Sequence, residues 1–253
     1  MWQKRTWGLL VVVCCCITLV GCVKNDVSRE FDFDVGTTVE ELIGIENVYH
    51  EENVEEIIEV ETLLCMDSNY PTMRDIAAIS DNVIAGTIID VAYTDDNATA
   101  WTYYAVEVDE SLKGSIATGD VVVVCQGGGY VRLAVYADVY GDAHFEDTIE
   151  SVQEGVYLQF AFGGVPMSQK DDRVILCLGE KSTEGRSKGC YVLMRQFMGK
   201  YVYNEEEGGY LRYCPEGEEF LLQHQNAEGE LITESVLTIN EIQAQVNESV
   251  VVS

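Results

Sequence analysis

The sequence predicts a mainly β fold, a β-barrel or a β-sandwich, with a short helix before the strands and another helix at the C-terminus. From about residue 65 onward, short runs of β-branched and aromatic residues alternate with turns of Gly, Asp and Asn. Regular spacing of this kind is typical of barrels and sandwiches. The end of the chain instead has the apolar spacing of an amphipathic helix.

The first predicted elements lie between residues 71 and 93. Pro71 suits the start of a short helix with an apolar turn over residues 76–79. The alternating, β-branched run 83–93 then predicts a strand. "WTYYAVEVDESLKG" predicts a second strand, because its side chains separate into two faces. One face carries Tyr104, Val106 and Val108, and the other carries Tyr103, Ala105 and Glu107.

The third predicted strand is the wholly apolar run 121–124, which we expect to be buried on both faces. Further short strands are predicted in "EGVYLQFAFGG", "RVILCLGE", "GCYVLMRQF" and "GKYVYNE". A helix is predicted over about 238–248, where Thr238 and Glu241 form a capping box. Its apolar stripe consists of Ile239, Ile242 and Val246.

Residues 1–21 have the parts of an export signal. Two basic residues, Lys4 and Arg5, precede the apolar run 9–20. This run suits a signal peptide better than a membrane span, which needs about 20 apolar residues. The segment "LVGC", residues 19–22, then resembles the lipobox of bacterial lipoproteins.

The lipobox resemblance implies that Cys22 becomes lipidated. Gly21 supplies the small residue before the cut, which Cys14, Cys15 and Cys16 lack. A diacylglyceryl group adds two acyl chains, enough for stable anchoring in a membrane. An ordinary signal peptide or an uncleaved anchor is the alternative.

Residues 22–64 are rich in Asp and Glu, and the apolar residues keep neither a helical nor a strand period. We expect an extended, self-repelling tether that separates the barrel domain, residues 65–253, from the bilayer. Within it, "ENVEEIIEVETLL" could form a helix or a strand if it docks, so disorder and docking both remain open.

The charge of the chain is strongly acidic, with 44 Asp and Glu against 15 Lys and Arg and a net charge of −29. Binding to nucleic acid needs a basic surface, so this class of partner is excluded. Divalent cations and basic partners are compatible with the charge, although solubility explains it equally well.

After export the chain would keep five cysteines besides Cys22, which are Cys65, Cys125, Cys177, Cys190 and Cys214. An odd number cannot pair completely, and no spacing indicates a zinc site. We expect Cys125, inside "VVVVCQ", to be buried and reduced. Bridges among Cys177, Cys190 and Cys214 remain open.

The densest set of candidate metal ligands is in "ADVYGDAHFED", where Asp138, Asp142, His144 and Asp147 could hold calcium. The segment lacks the EF-hand pattern, and a solvated loop between strands is the alternative. We expect no other cofactor. Gly127–Gly129 lacks the sequence context of a phosphate-binding loop, so we expect a tight turn there. The sequence contains no catalytic motif, and we expect a protein that is not an enzyme.

Tyrosine-rich stretches offer a candidate binding surface. They are "WTYYAVEV", "QGGGYVRLAVYADVYGD" and "GKYVYNEEEGGYLRY". Barrels often bind ligands by stacking them on such rings, and the acidic charge leaves a glycan or a peptide as the ligand. The alternative is that Tyr merely suits half-buried strands.

The order of these segments resembles a widespread bacterial β-barrel domain that is similar to the OB-like barrels of netrin modules and tissue inhibitors of metalloproteinases. The resemblance spans about residues 71–245 and implies an OB-like barrel, closed or partly open. It implies no chemistry, because its motifs are turns and core positions. Its motif positions are Ser80, Asp81, Val83, Gly86, "E-x-L-K-G" at 110–114, Gly119, Asp120, Gly127–Gly129, Gly155, Tyr157 and Leu158.

We therefore expect a lipid-anchored protein on the extracytoplasmic face of the cell membrane, which binds a protein or glycan partner. A cation-dependent hydrolase that uses the 138–147 loop is one alternative. A protease-inhibitor-like module is another, although such inhibitors use a free N-terminal cysteine and Cys22 would be acylated.

Cys22→Ala should release the protein into the soluble fraction or block its processing, because only this thiol can accept the lipid. Cys16→Ala is the matched control and should leave anchoring unchanged. Cell fractionation with immunoblotting measures both variants. An unchanged membrane fraction for Cys22→Ala would overturn the lipobox interpretation.

Overall fold

The computed structural model describes residues 38–50, 54–61, 70–141, 155–161, 165–214, 222–225, 229–234 and 236–251. The helices are α1 (Val39–Ile43), α2 (Met73–Ala78), α3 (Leu133–Tyr140) and α4 (Ile239–Val251). The strands are β1 (Glu56–Glu61), β2 (Asn82–Thr94), β3 (Trp101–Lys113), β4 (Val121–Gly127), β5 (Gly129–Arg132), β6 (Val156–Ala161), β7 (Arg173–Lys181), β8 (Tyr191–Leu193), β9 (Lys200–Asn204), β10 (Gly209–Leu211), β11 (Gln223–Gln225) and β12 (Leu231–Thr233).

Strands β2, β3, β4, β8 and β7 close into a five-strand barrel, which confirms the predicted mainly β barrel fold. The neighbours β2–β3, β3–β4, β2–β7 and β7–β8 are antiparallel, whereas β4–β8 is parallel. A meander followed by a parallel return is the strand order of an OB-like barrel. Strands β9 and β10 extend the sheet beyond β7, outside the closed ring.

The barrel strands are apolar on both faces because each face packs against a separate core. Side chains alternate along a strand, and one set fills the barrel interior. The opposite set packs under helices, with Ala85 and Ile175 beneath α2 and α4 and Val123 beside α1. The predicted faces of β3 and the burial of β4 are thereby confirmed. The interior set is Ile84, Ile88, Tyr104, Val106, Val108, Ile116, Val122, Val124, Val174, Leu176, Leu178 and Leu193.

Two glycines of the sequence motifs lie where a side chain does not fit. A Cβ at Gly86 would overlap the carbonyl oxygen of Glu107 on the neighbouring strand. Gly114 ends β3 with a φ of +94°, and a Cβ there would overlap the Asn82 side chain. Asn82 Oδ1 accepts the Ser115 N–H at 2.9 Å, so this contact joins the start of β2 to the end of β3.

A small second sheet, in the order β1-β6-β5, continues from one end of the barrel. The chain passes from β4 into β5 at Gly128, whose φ is +99°. Gly127 and Gly129, which we expected in a tight turn, instead lie in the two strands. Strand β1 pairs with β6 in parallel. The described part of the acidic segment therefore contributes a strand to the fold.

Helix α1 also belongs to the acidic segment, and it packs on the barrel. Val39 is fully buried, and its N–H donates to Asp90 Oδ2 at 2.9 Å. Tyr49 forms a β-bridge with Tyr93. Residues 38–50 and 54–61 are therefore docked on the rest of the fold. The remaining residues of the 22–64 segment lie outside the described part of the chain. Among the described residues, no helix has both the length and the apolar character of a membrane span.

A buried ion pair holds α2 and α4 on the outer face of the barrel. Arg212 Nη2 lies 3.5 Å from Glu234 Oε1, and the two side chains are 2% and 5% exposed. Arg212 donates to the carbonyl oxygens of Tyr70 and Pro71, just before α2. Glu234 accepts the Met73 N–H at the start of α2, the Tyr201 hydroxyl of β9 and the Gln245 amide of α4.

Glu234→Gln should lower the free energy of unfolding by about 3–5 kcal/mol, because it leaves the Arg212 charge buried without its partner. Denaturant unfolding followed by circular dichroism measures the change. The double variant Arg212→Met/Glu234→Gln should lower the free energy of unfolding by less than Glu234→Gln alone, because it leaves no buried charge without a partner. Glu205→Gln, in an exposed turn, is the control and should change the free energy of unfolding by less than about 0.5 kcal/mol. Equal stability of Glu234→Gln and Glu205→Gln would contradict the assignment.

Candidate functional site: a tyrosine–arginine cleft

Most of the residues predicted as ligands or modification sites lie outside the described residues. These are Cys22, Asp142, His144 and Asp147, whereas Asp138 is exposed on α3. Across the described ranges, no group of three or more His, Cys, Asp or Glu side chains could hold a metal ion. The calcium site and the lipidation of Cys22 remain predictions.

The prediction of strands and a solvated loop is wrong for residues 133–140, which form α3. Arg132 precedes this helix and binds Asp95 through its guanidinium, with Nε 2.7 Å from Oδ2. The Arg132 backbone N–H donates to the same oxygen at 3.0 Å. Because this long-range contact holds the end of β5, the chain turns there and continues as a helix until Gly141.

Of the described cysteines, Cys125, Cys177 and Cys190 are free thiols. Cys125 is fully buried, as predicted. Burial raises the pKa of the Cys125 and Cys177 thiols to about 12 and that of Cys190 to about 11. None of these three is a candidate nucleophile, because the reactive thiolate is absent at neutral pH.

Several tyrosines of the first two tyrosine-rich stretches belong to the core. Tyr103 and Tyr104 are both fully buried. Tyr130 packs edge-on against Tyr93, which in turn contacts Tyr49, in a buried cluster of aromatic rings. For these residues the structure favours the alternative that Tyr serves packing. The third stretch, residues 199–213, places the rings of Tyr203 and Tyr210 in an open cleft.

The cleft begins where α4 stops covering the sheet. On β2, β7 and β9, one row across the outer face consists of Ala85, Ile175 and Tyr201, and all three are buried under the helices. The next side chains on the same face are Thr87, Arg173 and Tyr203. Thr87 pairs directly with Arg173, and α4 begins at this level with its capping residue Thr238.

The open row lines a cleft of about 680 Å³. The Arg173 guanidinium lies over the Tyr203 ring, 4.2 Å from its centroid. Tyr203 meets Tyr210 edge-on, with centroids 5.3 Å apart. Tyr203 is half-buried and Arg173 is exposed. The lining residues are Ala85, Thr87, Asp109, Glu110, Arg173, Tyr203, Gly208, Gly209, Tyr210, Thr238 and Ile239.

Hydrogen-bonding groups of both kinds converge on this cleft. Asp109 and Glu110 are exposed acceptors at its rim, and the Thr87 hydroxyl donates to Asp109 Oδ2 at 3.1 Å. Burial raises the pKa of Tyr210, and the nearby Arg173 partly offsets this effect. Tyr210 is therefore a neutral phenol that can donate as well as accept. Arg173 contributes guanidinium N–H donors.

A second cavity, of about 290 Å³, lies at the end of the barrel next to Gly127 and Gly128. Its walls include Trp101, Phe160 and Gln196, and none of the described residues that line it is ionisable. It offers apolar contact but few groups that could orient a ligand. The tyrosine–arginine cleft is larger and richer in polar groups, so it is the better candidate site.

Sequence reasoning placed Tyr203 and Tyr210 in a candidate stretch but missed Arg173, Asp109 and Glu110. Arg173 opens the apolar run of β7, and the two carboxylates lie near the end of β3, where a charge normally indicates only solvent. Comparison with protein-family models and with the curated proteins finds no match for this chain. The geometry and the sequence are therefore the grounds for a functional proposal.

At pH 8, a thiol reagent should label Cys125 and Cys177 at least about 100-fold more slowly in the native protein than in denaturant. A thiol with a pKa of about 12 holds about one part in ten thousand as thiolate at this pH. Peptide mass spectrometry measures labelling at each cysteine. The denatured protein, in which both thiols are exposed, serves as the control. Equal rates in the native and the denatured protein would contradict the burial of these thiols.

Proposed function

We propose that the protein is a lipid-anchored, non-catalytic binding module of the cell envelope, which holds a neutral glycan in the tyrosine–arginine cleft. The observation that carries this proposal is the stack of Arg173 on Tyr203 beside Asp109 and Glu110. The anchor rests on the sequence resemblance of residues 19–22 to a lipobox.

The size of the cleft supports a small ligand. Its volume of about 680 Å³ falls within the range of roughly 300–1,000 Å³ that is usual for ligand pockets. One or two sugar rings would fill such a volume. The Tyr203 ring and the planar guanidinium above it provide the flat surface that suits the apolar face of a sugar ring.

The chemistry of the walls favours hydroxyl groups. Each sugar hydroxyl can donate to the carboxylates of Asp109 or Glu110 and can accept from Arg173 or a tyrosine hydroxyl. Such a ligand needs no net charge. A polyanion would be repelled by a chain whose net charge is −29. A basic peptide would instead be attracted by charge, and its binding would weaken in salt.

Binding of neutral oligosaccharides is the direct test, first on a glycan array and then by calorimetry at low and high salt. Tyr203→Ala and Arg173→Ala should each weaken binding by about tenfold or more, a loss of at least about 1.4 kcal/mol. Tyr140→Ala removes an exposed ring on α3, outside the cleft, and should leave the affinity unchanged. Circular dichroism verifies that each variant is folded.

Three outcomes would contradict the proposal. The first is an absence of glycan binding, or binding that both cleft variants leave intact. The second is a ligand whose affinity falls steeply in salt, which would assign the cleft to a basic peptide. The third is cleavage of the bound glycan, which would show an enzyme.

A further inference from the structure

A small void lies between the last residues of β4, the end of β6 and the segment before β7. Its volume is about 20 Å³, which exceeds the roughly 10–15 Å³ that one water needs. It is too small for an organic molecule. The side chains at its polar wall are Lys200, Ser168, Gln126 and Thr102.

Lys200 is a buried cation that forms no ion pair with a carboxylate of the described residues. Lys200 is 4% exposed, and the neighbouring Ser168 is 3% exposed. The ammonium nitrogen donates to Ser168 Oγ at 2.9 Å and to the Pro166 carbonyl oxygen at 3.4 Å. An ammonium has three N–H donors, so these contacts leave one. In the described part of the chain, no ion pair includes Lys200.

The other polar groups of the wall do not supply the missing negative charge. Gln126 Oε1 accepts the Tyr104 hydroxyl, so the Gln126 amide N–H₂ is the part that remains to donate. The Thr102 hydroxyl donates to the Gly128 carbonyl oxygen at 2.9 Å. Burial lowers the pKa of Lys200 to about 8, and Asp172 opposes this effect without reaching an ion-pair distance.

We propose that this void binds a single halide ion, chloride under physiological conditions, which compensates the buried Lys200 ammonium. An ammonium transferred from water costs several kcal/mol unless an opposite charge or sufficient hydrogen bonds replace its hydration. The void lies beside the unused N–H donor of Lys200 and the amide of Gln126. A monoatomic anion matches both its size and these donors.

The same residues do not make a catalytic pair of serine and lysine. Ser168 Oγ is within hydrogen-bond reach of the Lys200 amine, but the void beside it cannot admit a substrate. Ser168 is also almost completely buried. An ion-sized ligand is the largest that this geometry accepts.

Thermal unfolding of the full exported chain, in sodium chloride and in sodium gluconate at equal ionic strength, tests the proposal. The unfolding temperature should be about 2–4 °C higher in chloride. Lys200→Met should abolish this difference, whereas Lys188→Met, which removes an exposed lysine, should preserve it. Ser168→Ala should retain Lys200 and reduce the chloride effect.

Crystals soaked in bromide provide a readout that does not depend on the stability of a variant. The anomalous signal of bromide should appear within about 3.5 Å of Lys200 Nζ. Equal unfolding temperatures in the two salts, or a chloride effect that survives in Lys200→Met, would overturn the proposal. A void that contains only water gives no bromide peak, and this outcome would also overturn it.

Discussion

The ion pair of Arg212 and Glu234 connects the part of the chain that precedes the barrel strands with the part that follows them. Through it the start of α2 and the side of α4 meet on one face of the sheet, although more than 160 residues separate Met73 from Glu234. The position of α4 is thus set by a buried charge contact as well as by its apolar stripe. That position determines how much of the sheet is covered, and therefore where the tyrosine–arginine cleft begins.

The long barrel strands could be predicted because both of their faces are buried. Burial on two faces produces continuous β-branched and apolar runs, which a sequence displays directly. Helix α4 could be predicted from its capping box. Helix α3 could not, because the stretch from Tyr130 to Tyr140 is apolar or aromatic at nearly every position, a pattern that does not distinguish a strand from a helix. The contact of Arg132 with Asp95 that redirects the chain also spans 37 residues. At this point a tertiary contact, and not the local sequence pattern, determines the path of the chain.

The sequence predicted only part of the candidate site, because the rest depends on how the strands pair. Tyr203 belongs to a stretch whose composition already indicated ligand stacking. Arg173 joins it only through the register of β7 with β9, which composition does not reveal. Lys200 was concealed in a different way, since lysine is usually exposed and nothing in "GKYVYNE" indicates that its first charged side chain points into the interior. The docking of the acidic segment was similarly hidden by its charge.

The row of Thr87, Arg173 and Tyr203 should tolerate substitution during evolution better than the buried row beside it. One row inward, at Ile175, a substitution opens a gap in the core and lowers stability. In the row of Thr87, Arg173 and Tyr203 the backbone remains held by the same sheet, and the side chains are half-buried or exposed at the edge of the cleft. New ligand preferences can therefore arise by single substitutions in this row while the barrel stays intact, so that the fold and the specificity evolve almost independently.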